Sequence, residues 1–307
     1  METLHISQET AGQTTSESIE NVTDGRVGNI LTPQAGCTTC NGDIPDGSQA
    51  VTPPSFIYAL GQIDARFPRL SVEKEFAQAI GRTETKGQTD RQAFHLFLSK
   101  RESRYLARQM CWVLTIQSMD TYILLPRDPA DIDLLIQALE PQPLPWINAV
   151  IGVRGPIAQP DMCNGLMVPI IGFDQIYTFD RVSLIKAIPK PEKIAAKDFT
   201  PAAEELFDRV LQLADNAGAT DEHRALNYLA MRYPAIYAKV AEEFANNCSL
   251  DLVESIPSRL SGSRNIIDVI FSFTERNIGF TKKFFVRVDV TEEFPFLVTK
   301  LSPYYDR

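Results

Sequence analysis

Apolar and polar residues change their spacing several times along the chain, and each change marks an element. The run 56-FIYALG-61 is almost wholly apolar and ends in Gly, which suits a strand. Val72, Phe76 and Ile80 recur at four-residue spacing and predict a helix over 71–81 with Ser71 as N-cap. Phe94, Leu98 and Tyr105 predict a second helix over 90–105. The β-rich runs 111-CWVLTI-116 and 121-TYILL-125 flank Gln-Ser-Met-Asp and predict a hairpin. Asp128 before Pro129 reads as N-cap and first helical residue; Pro141, Pro143 and Pro145 stop that helix after Glu140. Strands are expected at 146–153 and 166–173, on either side of the loop 154-RGPIAQPDMCNG-165.

Pro189 and Pro191 mark a change of texture. Thr200-Pro201 opens a helix to about Asn216, Thr220 caps another, and Pro234 starts a third that reaches about Asn246. The segments 266-IIDVIFSF-273 and 282-KKFFVRVDV-290 predict a hairpin around Asn277-Ile278-Gly279. Residues 1–54 carry no such pattern. They are rich in Thr, Ser, Gly and Gln, and hold seven acidic residues against Arg26 alone. So little apolar surface cannot offset the entropy of ordering, which predicts a disordered tail. The expected fold class is α+β: a flexible acidic linker over 1–54, then mixed helix/strand subdomains over 55–190 and 191–307, the second ending in a β-hairpin.

Composition narrows the function. A hydrophobic fraction of 44% supports an ordinary core. The net charge of −9 excludes a nucleic-acid binder, which needs a dense Lys/Arg surface, and a polybasic membrane anchor. No apolar run reaches the roughly 18–20 residues of a membrane span, and no basic-then-apolar leader opens the chain. A cytoplasmic location is expected.

Five cysteines, an odd number without a leader, argue against a disulfide framework. Cys37 and Cys40 form a C-x-x-C followed by Gly42, a bend that can turn backbone amides toward a metal-bound thiolate. Cys163-Asn164-Gly165 repeats the second half of that shape, and Cys111 opens a strand in the same subdomain. Cys37, Cys40, Cys111 and Cys163 therefore make a candidate four-thiolate structural zinc site. The plainer reading makes Cys111 and Cys163 small core residues. A redox role for the C-x-x-C is disfavoured by Asp43 and Asp46, which oppose thiolate formation. Cys248 reads as a buried thiol.

Hydrolytic chemistry finds little support. His5 lies in the tail, His95 and His223 read as helix-surface residues, and no nucleophile elbow, phosphate loop or dinucleotide fingerprint occurs. Asp268 stands among apolar strand residues, and Arg287 and Asp289 share one strand face, so an Asp268–Arg287 cross-strand pair is open, as is a merely half-solvated sheet face. Arg154-Gly155-Pro156 and Asp161 crowd the loop that carries Cys163, either lining a peptide groove or shaping a turn.

One family shares much of this text. The segments 111-CWVLTIQSMDTYILLPRD-128, 151-IGVRGPIAQPDMCNGLMVPIIGFDQIYTFDRVSLIKAIPKP-191 and 227-NYLAMRYPAIYAKVAEEFANN-247 resemble the C-terminal domain of unknown function of the PatA- and PatG-type cyanobactin maturation proteases. The end of the chain, 257-PSRLSGSRNIIDVIFSFTERN-277 with 284-FFVRVDVTEEFPFLVTKLSPYYDR-307, is the most specific part. In that family the domain follows a subtilisin-like protease that cuts and macrocyclises heterocyclised ribosomal peptides. The protease segments are absent from this sequence, so the resemblance implies pathway context and no peptidase activity. It implies a non-catalytic accessory domain that binds pathway enzymes or precursor peptide, with a homodimer open as its assembly. An enzyme of another type acting on the same peptides, through Asp268, Arg287, Asp289 or the 154–165 loop, is the alternative.

Overall fold

In the computed structural model the described residues are 55–81, 89–141, 146–188, 196–213 and 215–305. Cys37 and Cys40, and the tail expected over 1–54, lie outside them. The first half is built from β1 (Ser55–Arg66), α1 (Leu70–Ile80), α2 (Asp90–Leu98), α3 (Arg104–Ala107), β2 (Cys111–Ile116), β3 (Met119–Pro126), α4 (Ile132–Ala138), β4 (Trp146–Ile157) and β5 (Pro169–Asp180). Next come α5 (Arg181–Ala187), α6 (Ala196–Leu211), α7 (Asp221–Arg232), α8 (Ala235–Ala245), β6 (Cys248–Pro257), β7 (Ile266–Glu275) and β8 (Thr281–Asp289). Two short strands, β9 (Phe296–Leu297) and β10 (Ser302–Pro303), follow. The α+β class expected from the sequence is the one observed.

Five strands close into a barrel in the order β1-β2-β3-β5-β4. All neighbours are antiparallel except β3 and β5, which run parallel. The strand expected to stop at Gly61 continues to Arg66, because Gly61 marks a close approach. A Cβ there would press into the Thr115 carbonyl of β2. The β2–β3 turn is also tighter than four residues. Gln117 and Ser118 both take positive φ, 49° and 65°, the signature of a two-residue hairpin turn. The Gln117 amide donates to the Leu211 and Leu213 carbonyls at 2.8 and 3.1 Å, which satisfies the last carbonyl of α6 and one just beyond it.

Helix ends follow their local chemistry. Thr89 and Gln92 make a capping box on α2, Thr220 accepts the His223 amide on α7, and Asp128 with Pro129 starts a 3-10 turn ahead of α4. Ser71 is not the cap of α1; that helix begins one residue earlier, after Arg69. The helix expected over 90–105 breaks into α2, a 3-10 turn at Arg101–Ser103, and α3.

The inner barrel side chains, among them Ile57, Ile63, Leu114 and Phe173, form one core with α1, α2 and α4. A second core lies between the outer wall of the barrel, helices α5–α8 and the inner face of the second sheet, whose order is β10-β8-β7-β6 with β9 beside β8. Tyr58, Leu60 and Ala149 enter it from before residue 190, and Phe207, Leu229, Phe271 and Val286 from after. Each of its fully buried Phe side chains contributes about 1.5–3 kcal/mol by leaving water. The described residues fall within one compact unit, Thr52–Arg307. None of the described helices is long and apolar enough to cross a membrane.

Candidate functional site

The outer face of β1 is covered by helices only over its first half. Tyr58 and Leu60 pack into the second core, but Gln62, Asp64 and Arg66 emerge beyond the end of α6. A cleft of about 550 Å³ opens there. Its floor is Gly61, Gln62, Asp64 and Arg66 with Thr115 to Ser118; its walls are Trp146 and Ile147 at the start of β4, Arg181 of α5, Asp208 and Leu211 of α6, and Gln212 just after it.

Three Arg–Asp pairs set its electrostatics. Arg66 holds Asp120 through both guanidinium nitrogens at 2.5 and 2.6 Å. Arg181 holds Asp208 in the same two-pronged manner, with both contacts at 2.7 Å. Arg91, reaching from α2, donates to Asp64 at 3.1 Å and to the Ile63 carbonyl at 2.8 Å, and also bonds the Ala138 carbonyl. Its guanidinium lies 4.4 Å above the Trp146 ring. The hydrogen bond from Arg66 keeps the Asp120 carboxyl below the usual carboxylate range, and the same contact raises Arg66. Asp180 accepts the Val182 and Ser183 amides, capping α5 so that its first residue, Arg181, stands at the cleft wall.

The barrel seam beside the cleft is held by a buried amide. β1 leaves β4 after the Gly61–Asn148 pair. Asn148 then accepts the Ile63 amide at 2.9 Å and donates to Thr178 at 2.8 Å, so the freed backbone stays satisfied. The Trp146 indole nitrogen is buried and, among the described residues, has no hydrogen-bond partner.

A smaller recess of about 320 Å³ lies on the far side of the Arg66–Asp120 bridge, lined by Phe67, Cys163, Asn164, Gly165 and Leu166. Here the structure brings Cys111 and Cys163 together as a disulfide, with Cα atoms 5.6 Å apart. This corrects two expectations. The sequence pattern makes Cys111 and Cys163 candidate zinc thiolates, but a disulfide sulfur carries no thiolate charge for a metal. A disulfide was also not expected from an odd cysteine count. The bond ties β2 to the 158–168 loop over a small apolar cluster of Val113, Ile123 and Ala158. Among the described residues no group of three or more His, Cys, Asp or Glu is placed to hold a metal ion. Cys248 is a free, buried thiol whose pKa burial pushes up.

The other sequence candidates are scattered. Asp268, Arg287 and Asp289 lie on the second sheet, Arg154 to Pro156 on the exposed end of β4, and Asp161 in the exposed loop beyond it. His95 and His223 sit half-buried on α2 and α7, and neither lines the cleft. Burial lowers the His223 pKa.

Residues 193–304, less than half of the chain, match the family model described as PatG C-terminal. A solved structure titled "PatG Domain of Unknown Function" has the same fold, with a TM-score of 0.66 over 81% of this chain and 98% of that one, at 20% identity. Residues 193–304 are thus similar to the PatG C-terminal family, and the chain shares the fold of the solved domain. No curated protein matches the chain. The family match begins just before α6, so the PatG-type segment supplies Asp208, Leu211 and Gln212 to the cleft; α5 supplies Arg181 and the barrel the rest.

A strand ending at Gly61 leaves out the cleft residues that β1 supplies, since β1 runs on to Arg66. The alternation of Gln62, Asp64 and Arg66 with Ile63 and Ala65 was the signal that the strand goes on. Arg181 and Asp208 meet only through the packing of α5 on α6, and their spacing of 27 residues announces nothing.

Proposed function

We propose that the PatG-type domain is a non-catalytic accessory module of a cyanobactin-like pathway, and that its cleft holds an extended segment of a ribosomal precursor peptide. The observation that carries this reading is the locked state of the cleft's charges. Arg66 holds Asp120 and Arg181 holds Asp208, each through two contacts, so these side chains present fixed, balanced charge pairs. What the lining offers is charge-balanced hydrogen bonding, an indole face and the polar edge of β1, in a volume within the about 300–1,000 Å³ typical of ligand clefts.

The test uses a fluorescently labelled precursor peptide titrated with the full chain, followed by mass spectrometry of the recovered peptide. Saturable binding, weakened about tenfold or more by Arg181→Ala, with peptide mass unchanged, is expected. Binding that ignores Arg181→Ala would remove the cleft from the reading, and a changed peptide mass would replace the accessory role with an enzymatic one.

A further inference from the structure

The second sheet ends on an open edge. β6 is its last strand and pairs with β7; among the described residues no strand lies on its other side. The start of that edge is closed off. Register with β7 slips between Leu250 and Leu252, a bulge at Asp251, and Arg209 of α6 donates to the Asp251 carbonyl at 3.0 Å. From Leu252 to Pro257 the pairing is regular. Just beyond, the Ser258 amide donates to the Ile266 carbonyl of β7 at 2.7 Å. By the two-residue period of an antiparallel ladder, Ile256, Glu254 and Leu252 also turn their backbone groups toward β7. Val253 and Ser255 therefore turn theirs outward, and the Pro257 carbonyl points the same way. Such an edge is a template for a further strand unless a bulge, a proline or a charge blunts it. Here the bulge and the proline stand at the two ends, and Leu252 and Ile256 between them are 49% and 40% exposed. Val253 packs on the core, so these two share the opposite face with Glu254. Glu254 is half-buried and, among the described residues, has no hydrogen bond or ion pair.

We propose that the β6 edge from Leu252 to Pro257 takes up an extended basic segment of another protein as an added strand. The segment carries Lys or Arg opposite Glu254 and apolar residues two positions to either side, opposite Leu252 and Ile256. Main-chain hydrogen bonds to Val253 and Ser255 supply the hold, and the alternate side chains supply the choice. A cation directly across from Glu254 gives that carboxylate the counter-charge it lacks, in a chain whose net charge is −9.

The same edge rejects a second copy of itself. A two-fold axis can pair Val253 and Ser255 with themselves or with each other in three ways. Centred on Glu254, it sets two carboxylates directly opposite one another, a like-charge pair. Centred on Ser255, it sets Val253 against Pro257, which has no N–H to donate. Centred on Val253, it sets Ser255 against Asp251, inside the bulge and with its carbonyl already held by Arg209. A guest strand with Lys or Arg at its centre meets none of these obstacles.

The probe is the capped peptide Thr-Val-Thr-Lys-Thr-Val-Thr, fluorescently labelled, titrated with the full chain and followed by hydrogen exchange of the complex. Saturable binding is expected, with exchange slowed at the Val253 and Ser255 amides and unchanged at Gln62 to Arg66 of the cleft. The same peptide with Glu in place of Lys should bind about fivefold or more weakly, and Glu254→Lys should reverse that preference. Ser255→Pro removes one outward N–H at a place where an edge strand tolerates proline, and should abolish binding. Should that variant fail to fold, the reversal by Glu254→Lys decides alone. No binding up to about 1 mM, equal binding of the two peptides, or protection only outside β6 would overturn the proposal. So would a native dimer in sedimentation that Ser255→Pro or Glu254→Lys dissociates, since a second copy would then hold the edge.

Discussion

Arg287 donates to Asp268 at 3.0 Å between directly paired positions of β7 and β8. Asp268 is 7% exposed, so the pair lies inside the cover formed by its neighbours. A second pair, Arg264 with Asp289, lies one step along the same face. Removing one partner leaves the other buried without its counter-charge, which costs more than the pair itself contributes. Arg287→Ala should therefore destabilise the domain by about 1–3 kcal/mol in urea unfolding. Asp268→Ala with Arg287→Ala should cost less than the two single losses added together; strict additivity would show that the two side chains act independently.

The Cys111–Cys163 disulfide closes a loop across 52 residues. Cys163→Ser should lower stability by about 2–4 kcal/mol. Thiol counting separates this bond from the zinc site expected from the sequence. In denaturant without reductant, at least two of the five cysteines should fail to react. Five reactive thiols, with zinc released on unfolding, would mean the four-thiolate arrangement instead.

Element types were largely legible in the sequence and their assembly was not. The 3.6-residue and two-residue periods marked most of the helices and the long strands. β6 was missed because Ser249, Asp251, Glu254 and Ser255 dilute its apolar residues, and an edge strand needs no strict alternation. Closure of the barrel depends on parallel pairing of β3 with β5, forty-odd residues apart, which leaves no local mark. The Asp268–Arg287 pair was readable because both residues interrupt apolar strands. The cleft was not, since Arg66, Asp120, Arg181 and Asp208 come from four elements that only tertiary packing brings together.

Glu293 introduces a pH dependence. Its carboxyl lies near Arg127 at 3.4 Å, beside the Asp174 carboxylate, while Arg224 donates to its backbone carbonyl. Burial, then the hydrogen bond and charge of Asp174, push its pKa up to about 7. A carboxyl raised above its unfolded value binds its proton more tightly when folded. Its contribution is present at low pH and is lost as pH rises through about 7. Melting temperatures of the native chain and of Glu293→Gln, which mimics the protonated form, should therefore diverge from pH 5 to pH 8, with the Gln variant the more stable at pH 8. Parallel curves would place Glu293 in an ordinary solvent environment.

Gly218 ties the loop before α7 to the barrel. Its φ is +70°, its carbonyl accepts the Tyr58 amide at 2.9 Å, and a Cβ would strike the Tyr58 carbonyl. That carbonyl in turn accepts from Asn227 at 2.8 Å. Gly218→Ala should cost about 3 kcal/mol or more, since backbone strain and a backbone clash coincide. A loss below about 1 kcal/mol in chemical denaturation would show that the loop shifts freely.

Hydrogen exchange of the full chain with and without precursor peptide tests the cleft most directly. Slowed exchange is expected at amides of Gln62 to Arg66 and Thr115 to Asp120, with little change on the 158–168 loop. Peptide that binds yet slows exchange only outside these segments, or that leaves exchange unchanged at saturating concentration, would contradict a peptide-holding cleft.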